Sequence, residues 1–326
     1  MPGHIRLALI VVAALLAAAP SPADAAPQLL PDDVVPVHYN LSVAPDASAL
    51  TWQGKVVVGV LVRRPTSDVV LNAEDLVFDR VTLDGTRDGT TTFDIGLGRA
   101  TLHFSAPIAP GAHMLAIDYH GKISRETLGF FAMDYQTSTG PQRTLATNFE
   151  PASARKFLPC WDEPARKATF SLTVDVPADR TAVSNMPVQT EEQLSPATKR
   201  VRFVMTPRMS TYLLFLGIGD FERIHRIVEG VDVGVVVKRG DTAKAAYALD
   251  QAALLLHYYD NYFGYHYPLP KLDLIAAPGE IEGGSMENWG AIFFSQGELL
   301  FDPAKSTEPE RQDVFEVVSH EMSHQW

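Results

Sequence analysis

The spacing of apolar residues changes once along this chain, and that change constrains the class of fold. From about Pro36 to Glu222, short segments alternate apolar and polar residues or run apolar with many β-branched side chains. After residue 241 the apolar residues recur at helical spacing. A period of two predicts strands and a period near 3.6 predicts helices. The sequence therefore predicts an α+β protein whose first part is an antiparallel β-domain.

Several segments have the composition and length of strands, and turn residues separate them. In the first region they are 37–45, 52–64, 113–121, 168–177 and 212–222. In the second region they are 291–301 and the later part of 267–279, a segment that begins with a proline-fixed turn. The change of pattern places the domain boundary between about Asp220 and Val231. We divide the chain into residues 1–25, a β-domain over 26–225 and a second domain over 226–326.

Two helices are predicted in the second region. Residues 241–264 form the first, with Asp241 as N-cap and Gly264 as C-cap residue. The last helix precedes the end of the sequence. There Thr307 has the position of a cap and Pro309 lies inside the first turn.

The first 25 residues have the pattern of a secretory signal peptide. A weakly basic start with His4 and Arg6 precedes an apolar run at 7–19, and an A-x-A sequence follows at 23–25. A membrane anchor is the alternative. However, a helix of this run would extend only about 20 Å, against about 30 Å for a bilayer core. We expect removal of 1–25, export to the periplasm or the extracellular space, and no membrane span afterwards.

Composition argues against several other functions. Cys160 is the one cysteine, so the chain can form no intramolecular disulfide. A catalytic thiol would need a histidine nearby, and none is close in sequence, so Cys160 is expected to be a small buried side chain. The net charge of −12 disfavours binding to nucleic acid or to anionic membranes.

The motif with the clearest chemistry is "HEMSH" at 320–324. In a helix, His320 and His324 lie one turn apart and project from the same face. Two imidazoles placed in this way can bind one zinc ion, while Glu321 can accept a proton. Chance occurrence is the alternative. The predicted helix and the two valines before His320 favour the metal site.

Two further segments are ambiguous on their own. "EGGSMENWG" (282–290) lies between two predicted strands, and its glycines permit a positive φ or a close backbone approach. Such a pair of glycines more often marks a turn or a bulge. "TNFEPASARKFLPCWDEPARKATF" (147–170) is densely charged, which is typical of a solvated loop.

Together these three segments resemble the aminopeptidase N family of zinc metallopeptidases, the gluzincin aminopeptidases, in order and spacing. "YFGYHYPLPKLDLIAAPG" is similar to that family too, and the resemblance runs from about residue 30 to the last residue. It implies an N-terminal β saddle domain followed by the first part of a thermolysin-like catalytic domain. It also implies one Zn²⁺ per catalytic domain and peptide substrates with a free N-terminus.

The resemblance also assigns roles to individual residues. It implies that His320 and His324 are zinc ligands and that Glu321 is the general base. Two carboxylates in a partly desolvated pocket favour a cation, and an α-ammonium satisfies both through hydrogen bonds worth about 1.5–3 kcal/mol each. The implied substrate-binding residues are Glu150, Gly283, Gly284, Ser285, Met286, Glu287 and Asn288. Of these, the backbone of 283–288 is implied to pair with the peptide as a strand does.

The sequence departs from the family pattern at several places. Asn148 stands where many members have glutamine, Ser285 where many have alanine or glycine, and Ser323 at a usually apolar position. The family's third zinc ligand is a glutamate on the next helix, which would lie beyond Trp326, as would an oxyanion-stabilising tyrosine and a helical domain. We therefore expect the 326-residue polypeptide to hold zinc weakly and to be inactive or nearly so.

Three other functions stay open from the sequence. An epoxide hydrolase branch of the family uses the same zinc site, and a thermolysin-like endopeptidase shares the H-E-x-x-H helix. The third alternative is a non-catalytic secreted β-domain that binds a partner. The acidic pair Glu150 and Glu287, together with the predicted export, favours the aminopeptidase over the epoxide hydrolase, and a thermolysin-like endopeptidase should lack this pair.

Overall fold

The computed structural model describes residues 29–138 and 140–326, so the predicted signal peptide lies outside the described residues. These residues form twenty strands and three α-helices. The strands are β1 Val34–Asp46, β2 Thr51–Val62, β3 Thr66–Asn72, β4 Leu76–Leu83, β5 Arg87–Asp88, β6 Thr90–Asp94, β7 Arg99–Ile108, β8 Gly111–Lys122, β9 Gly129–Thr137, β10 Gly140–Asn148, β11 Thr169–Pro177, β12 Thr181–Ser184, β13 Val188–Ser195, β14 Thr198–Phe203, β15 Leu216–Gly219, β16 Phe221–Val228, β17 Val231–Lys238, β18 Lys271–Ala276, β19 Ser285–Met286 and β20 Ala291–Phe294. The helices are α1 Ala246–Phe263, α2 Gln296–Leu299 and α3 Glu308–Ser323.

Three sheets occupy the first region. The largest has the strand order β13-β14-β11-β1-β2-β8-β4-β5, and the smaller ones have the orders β12-β15-β10-β9 and β3-β7-β6. Their pairings are antiparallel except for β1 with β11. Because alternate residues of β1 and β2 are buried, one face of the large sheet packs on the core, as the period of two predicts.

The second region contains a mixed sheet with the order β16-β17-β18-β20-β19. The inner pairs β17–β18 and β18–β20 are parallel, and the outer pairs are antiparallel. All six residues of β18 are buried, as is usual for a parallel strand that is covered on both faces. A strand-rich first region followed by this sheet and its helices confirms the predicted α+β class.

Helix α1 follows its prediction at one end and departs from it at the other. It ends at Gly264, which adopts the left-handed conformation at φ 65°. Its start is Ala246, and Asp241, which has the N-cap position of the short 3-10 turn before it, makes no side-chain cap hydrogen bond. The Asp241 carboxylate instead binds the ammonium groups of Lys238 (2.5 Å) and Lys244 (2.7 Å). The predicted Asp241 cap is therefore wrong.

Two predicted strands are shorter than expected. The segment 212–222 is divided because the chain leaves the four-stranded sheet after β15 and enters the five-stranded sheet as β16. The five-stranded sheet begins with β16 at Phe221, and the domain division after residue 225 stays a prediction. The segment 291–301 ends as a strand at Phe294, and α2 follows it.

A buried amide joins the β-domain to the segment 282–290. The Asn185 side-chain nitrogen donates to the carbonyls of Leu213 (2.7 Å) and Trp289 (2.9 Å), and its oxygen accepts from the Phe215 amide (2.8 Å). Only 1% of Asn185 is exposed. Since water cannot reach these groups, loss of the side chain leaves them without partners.

We expect Asn185→Ala to lower the free energy of unfolding by about 2–4 kcal/mol, because a buried amide and two carbonyls lose hydrogen bonds. Urea denaturation followed by circular dichroism measures this change. The matched control is Asn40→Ala, since Asn40 is an exposed asparagine of β1. An equal effect of both substitutions would contradict the role given to Asn185.

Candidate active site

Helix α3 presents the H-E-x-x-H motif because its start and its buried face are both fixed. Thr307 and Glu310 form a capping box in which each side chain binds the backbone amide of the other, which confirms the predicted cap. Val314, Val318 and Met322 are buried at helical spacing. The opposite side of the last two turns therefore faces outward.

The two histidines converge on one point. Their Nε2 atoms are 3.2 Å apart, and their rings are inclined by 79°. Tetrahedral zinc with bonds of about 2.0–2.1 Å would separate two nitrogen ligands by about 3.3 Å, so His320 and His324 fit this ion. Over 29–138 and 140–326, no third histidine, cysteine or carboxylate ligand atom lies within 4.8 Å of both.

Glu321 lies beside this pair in a protected position. Its carboxylate oxygen Oε1 is 3.9 Å from His320 Nε2, and 9% of its side chain is exposed. Burial raises the pKa of Glu321 to about 7, and the negative charges of Glu287, Glu150 and Glu298 act in the same direction. A carboxyl group that titrates near neutral pH can both accept and return a proton.

Glu150 and Glu287 lie beside this site, and they are close enough to each other for their negative charges to repel. Partial burial raises the pKa of Glu150, the charge of Glu287 raises it further, and His324 opposes the shift. The Tyr212 hydroxyl donates to Glu287 Oε1 at 3.0 Å. The structure thus brings the two acids named from the sequence to the side of Glu321.

The glycines of 282–290 make room for a fourth carboxylate. Gly283 and Gly284 both have φ 84°, and a Cβ on Gly284 would lie 2.5 Å from Glu298 Oε1. The Ser285 hydroxyl donates to Glu298 Oε2 at 2.6 Å. A cavity of about 300 Å³ opens here, lined by Gly283, Ser285, Glu298, Glu316, Val317, His320 and Glu321.

The remaining residues of the segment point elsewhere. Met286 is fully buried in the core, and Asn288 is buried with its amide donating to the Leu213 carbonyl at 3.2 Å. Neither lines the cavity. Their side chains therefore hold the segment in place, while β19, at the edge of its sheet, leaves one backbone side unpaired within that sheet.

The end of α3 is tied to the same segment by Gln325. Its amide nitrogen donates to the Glu287 carbonyl (3.1 Å), and its oxygen accepts from the Gly290 amide (3.1 Å). Gln325, Tyr212 and Glu298 are site residues that the sequence did not single out. No local signal marks them, because each acts on a segment distant in sequence.

Comparison with known proteins agrees with this arrangement. Residues 35–213 match the Peptidase M1 N-terminal domain, and residues 247–326 match the Peptidase family M1 domain. The chain belongs to the peptidase M1 family. The resemblance to the aminopeptidase N family that the three motifs indicate is thereby confirmed.

Several M1 relatives align over most of the chain. It is 44% identical over 298 residues to "Aminopeptidase N" of Acetobacter pasteurianus, covering 91% of this chain and 84% of that protein. It is 36% identical to "Aminopeptidase M1-C" of rice and to human "Endoplasmic reticulum aminopeptidase 1", covering 95% and 91% of this chain. It spans 36% and 32% of those two proteins. In the part of this M1 chain that the structure describes, no helix is long and apolar enough to cross a bilayer.

We expect Glu321→Gln to stabilise the metal-free M1 chain by about 3 kcal/mol above pH 7, because burial makes the ionised Glu321 carboxylate unfavourable in the folded state. A raised folded-state pKa means that the native carboxyl contributes stability below the unfolded pKa and loses it as pH rises toward 7. The gain should therefore shrink toward zero below about pH 4.5. Urea denaturation at several pH values measures it.

Glu316→Gln is the matched control on the same helix, since Glu316 is exposed. It should change the free energy of unfolding by less than about 0.5 kcal/mol at each pH. A Glu321→Gln effect that does not depend on pH would exclude charge burial as its cause.

Proposed function

We propose that this chain carries the substrate-binding half and part of the metal site of a zinc-dependent aminopeptidase, which releases N-terminal amino acids from peptides. The observation that carries this proposal is the convergence of Glu150, Glu287 and Glu321 beside His320 and His324. The names of the M1 relatives support it.

The acidic pair supports recognition of a free amino terminus. Glu150 and Glu287 repel each other in a partly desolvated space, and an α-ammonium would relieve that repulsion. The Tyr212 hydroxyl occupies one oxygen of Glu287, which orients this carboxylate. An internal peptide nitrogen carries no charge, so it would leave both acids without a partner. The pair would thus set cleavage after the first residue.

The histidine pair and Glu321 support hydrolysis. His320 and His324 would hold the zinc ion through Nε2. Bound zinc would supply Lewis-acid polarisation of the scissile carbonyl. The Glu321 carboxylate would take a proton from the attacking water and pass it to the leaving amine. Manganese or cobalt could occupy the same ligands in vitro.

The edge strand supports a binding direction for the rest of the peptide. β19 pairs with β20 on one side only, so an extended peptide can add to its other side through backbone hydrogen bonds. The Ser285 side chain lies at this edge beside the cavity. We also propose export of the mature chain, as the signal-like pattern of residues 1–25 predicts.

We expect Glu287→Gln to weaken the binding of a tripeptide with a free amino terminus by about 10-fold to 100-fold, because one charge-assisted hydrogen bond is lost. Binding of the N-acetylated tripeptide should already be weak and should not change. Isothermal titration calorimetry with both peptides measures the difference. The control is Glu282→Gln, an exposed acid of the same segment.

Equal affinity of the original chain for free and acetylated peptides would contradict amine recognition. That outcome would favour either an endopeptidase site or a binding domain without catalysis. Because the measurement records binding, it does not require turnover by this polypeptide.

We further expect the His320–His324 pair of the 326-residue polypeptide to bind zinc weakly and the polypeptide to show little turnover, because two imidazoles provide an incomplete ligand set. Zinc titration and hydrolysis of an aminoacyl-anilide test this expectation. Tight binding of one zinc per chain together with turnover of about 1 s⁻¹ or faster would overturn it. His320→Ala should remove the residual zinc binding at this site.

A further inference from the structure

We propose that Glu229, Asp260 and His266, with His257 bound to Glu229, form a second binding site, for a divalent transition-metal cation, separate from the H-E-x-x-H pair. The four residues come from three pieces of the chain. Glu229 is in the turn between β16 and β17, His257 and Asp260 are on α1, and His266 follows the end of α1. The fold, rather than a sequence motif, brings them together.

Distances between the ligand atoms carry the proposal. One ligand atom each of Glu229, Asp260 and His266 lies within 4.8 Å of the other two, and Asp260 Oδ2 is 2.9 Å from His266 Nδ1. His257 Nδ1 joins the group through Glu229 Oε1 at 2.5 Å. Small side-chain rotations would bring such atoms to the 2.0–2.2 Å bonds typical of zinc.

The cluster differs from the other histidine–carboxylate pairs of the described residues. Pairs such as His103 with Asp68 and His113 with Asp84 have similar distances of 2.8 Å. Neither has a third ligand atom within 4.8 Å of both members, whereas the Asp260–His266 pair has Glu229. A third ligand is what converts a surface ion pair into a chelating site.

Two of the ligands are held in place before any ion binds. The Asp260 side chain is 5% exposed, and its Oδ1 accepts the Tyr267 backbone amide at 2.7 Å. This leaves Oδ2 directed at the cluster. Glu229 has φ 50° and Gly230 has φ 88°, as in a tight hairpin turn, and Val228 pairs with Val231 across it. The backbone therefore fixes the position of Glu229.

The charge of the cluster favours a cation. The carboxylates of Glu229 and Asp260 lie near each other, and Asp260 raises the pKa of the His266 imidazole through its hydrogen bond. A divalent ion would neutralise both carboxylates. The His266 side chain is 90% exposed, so solvent and ions reach the cluster freely.

The mixed ligand set indicates the class of ion. An imidazole with two carboxylates is typical of zinc, cobalt or manganese, whereas calcium prefers oxygen ligands alone. The bound ion would connect the β16–β17 turn to the last turns of α1. Tyr259, which lies between His257 and Asp260 in sequence, contacts α3, since its hydroxyl donates to the Ser319 carbonyl at 2.7 Å.

The test uses the full chain with His320→Ala and His324→Ala, which removes the H-E-x-x-H imidazoles and separates this site from the proposed catalytic one. We expect this double variant to bind about one equivalent of Zn²⁺ or Co²⁺ in calorimetry and to gain thermal stability as the ion is added. Adding His266→Ala or Glu229→Gln should weaken that binding about 10-fold or more.

His103→Ala is the matched control, since it removes an imidazole from an Asp68 pair that has no third ligand atom nearby among the described residues. It should leave the affinity of the double variant unchanged. Absence of binding by the double variant would overturn the proposal, as would binding that His266→Ala leaves intact. Circular dichroism of each variant is the check that the variant is folded. Neither result bears on peptide recognition by Glu287.

Discussion

The close approach of three parts of the chain at Gly290 is the constraint on which the site depends. A Cβ at this position would lie 2.4 Å from the Asn185 carbonyl oxygen of the β-domain. The Gly290 carbonyl accepts from the Asp273 amide (3.1 Å) and from Lys271 Nζ (2.5 Å), and its amide donates to Gln325. Only glycine permits this contact at φ 71°. The β-domain, the mixed sheet and α3 are therefore mutually positioned where the segment with Glu287 ends.

The site that results places several acids together at a cost in stability. Glu150, Glu287 and Glu298 surround a buried Glu321, and each of them disfavours its ionised form. A core selected for stability alone would not contain this arrangement, because unpaired carboxylates in a desolvated space are unfavourable. Such costs are usual where residues are kept for binding or catalysis. The surrounding hydrogen bonds of Asn185 and Gln325 hold the segment against that repulsion.

The sequence predicts those parts of the fold that depend on local patterns. The α+β class, the cap at Thr307 and the convergence of His320 with His324 follow from spacing along single elements. Predictions failed where a distant partner decides the outcome. Asp241 does not cap because two lysines bind its carboxylate, and the strand expected at 212–222 divides between two sheets. Tyr212 and Glu298 could not be predicted from local patterns for the same reason, since each contacts a residue that only folding brings near.

The short length of β19 limits the number of backbone hydrogen bonds that the proposed peptide substrate could form at this sheet edge. Only Ser285 and Met286 belong to the strand, so a partner that pairs along it gains main-chain hydrogen bonds over about two residues. Further residues of the partner would find no continuing strand there and would be recognised weakly by backbone pairing. The same brevity limits edge-to-edge association between copies, because a two-residue edge is a poor template for aggregation. An edge of this length would thus recognise one end of the proposed peptide substrate and would tolerate variation in its length and sequence.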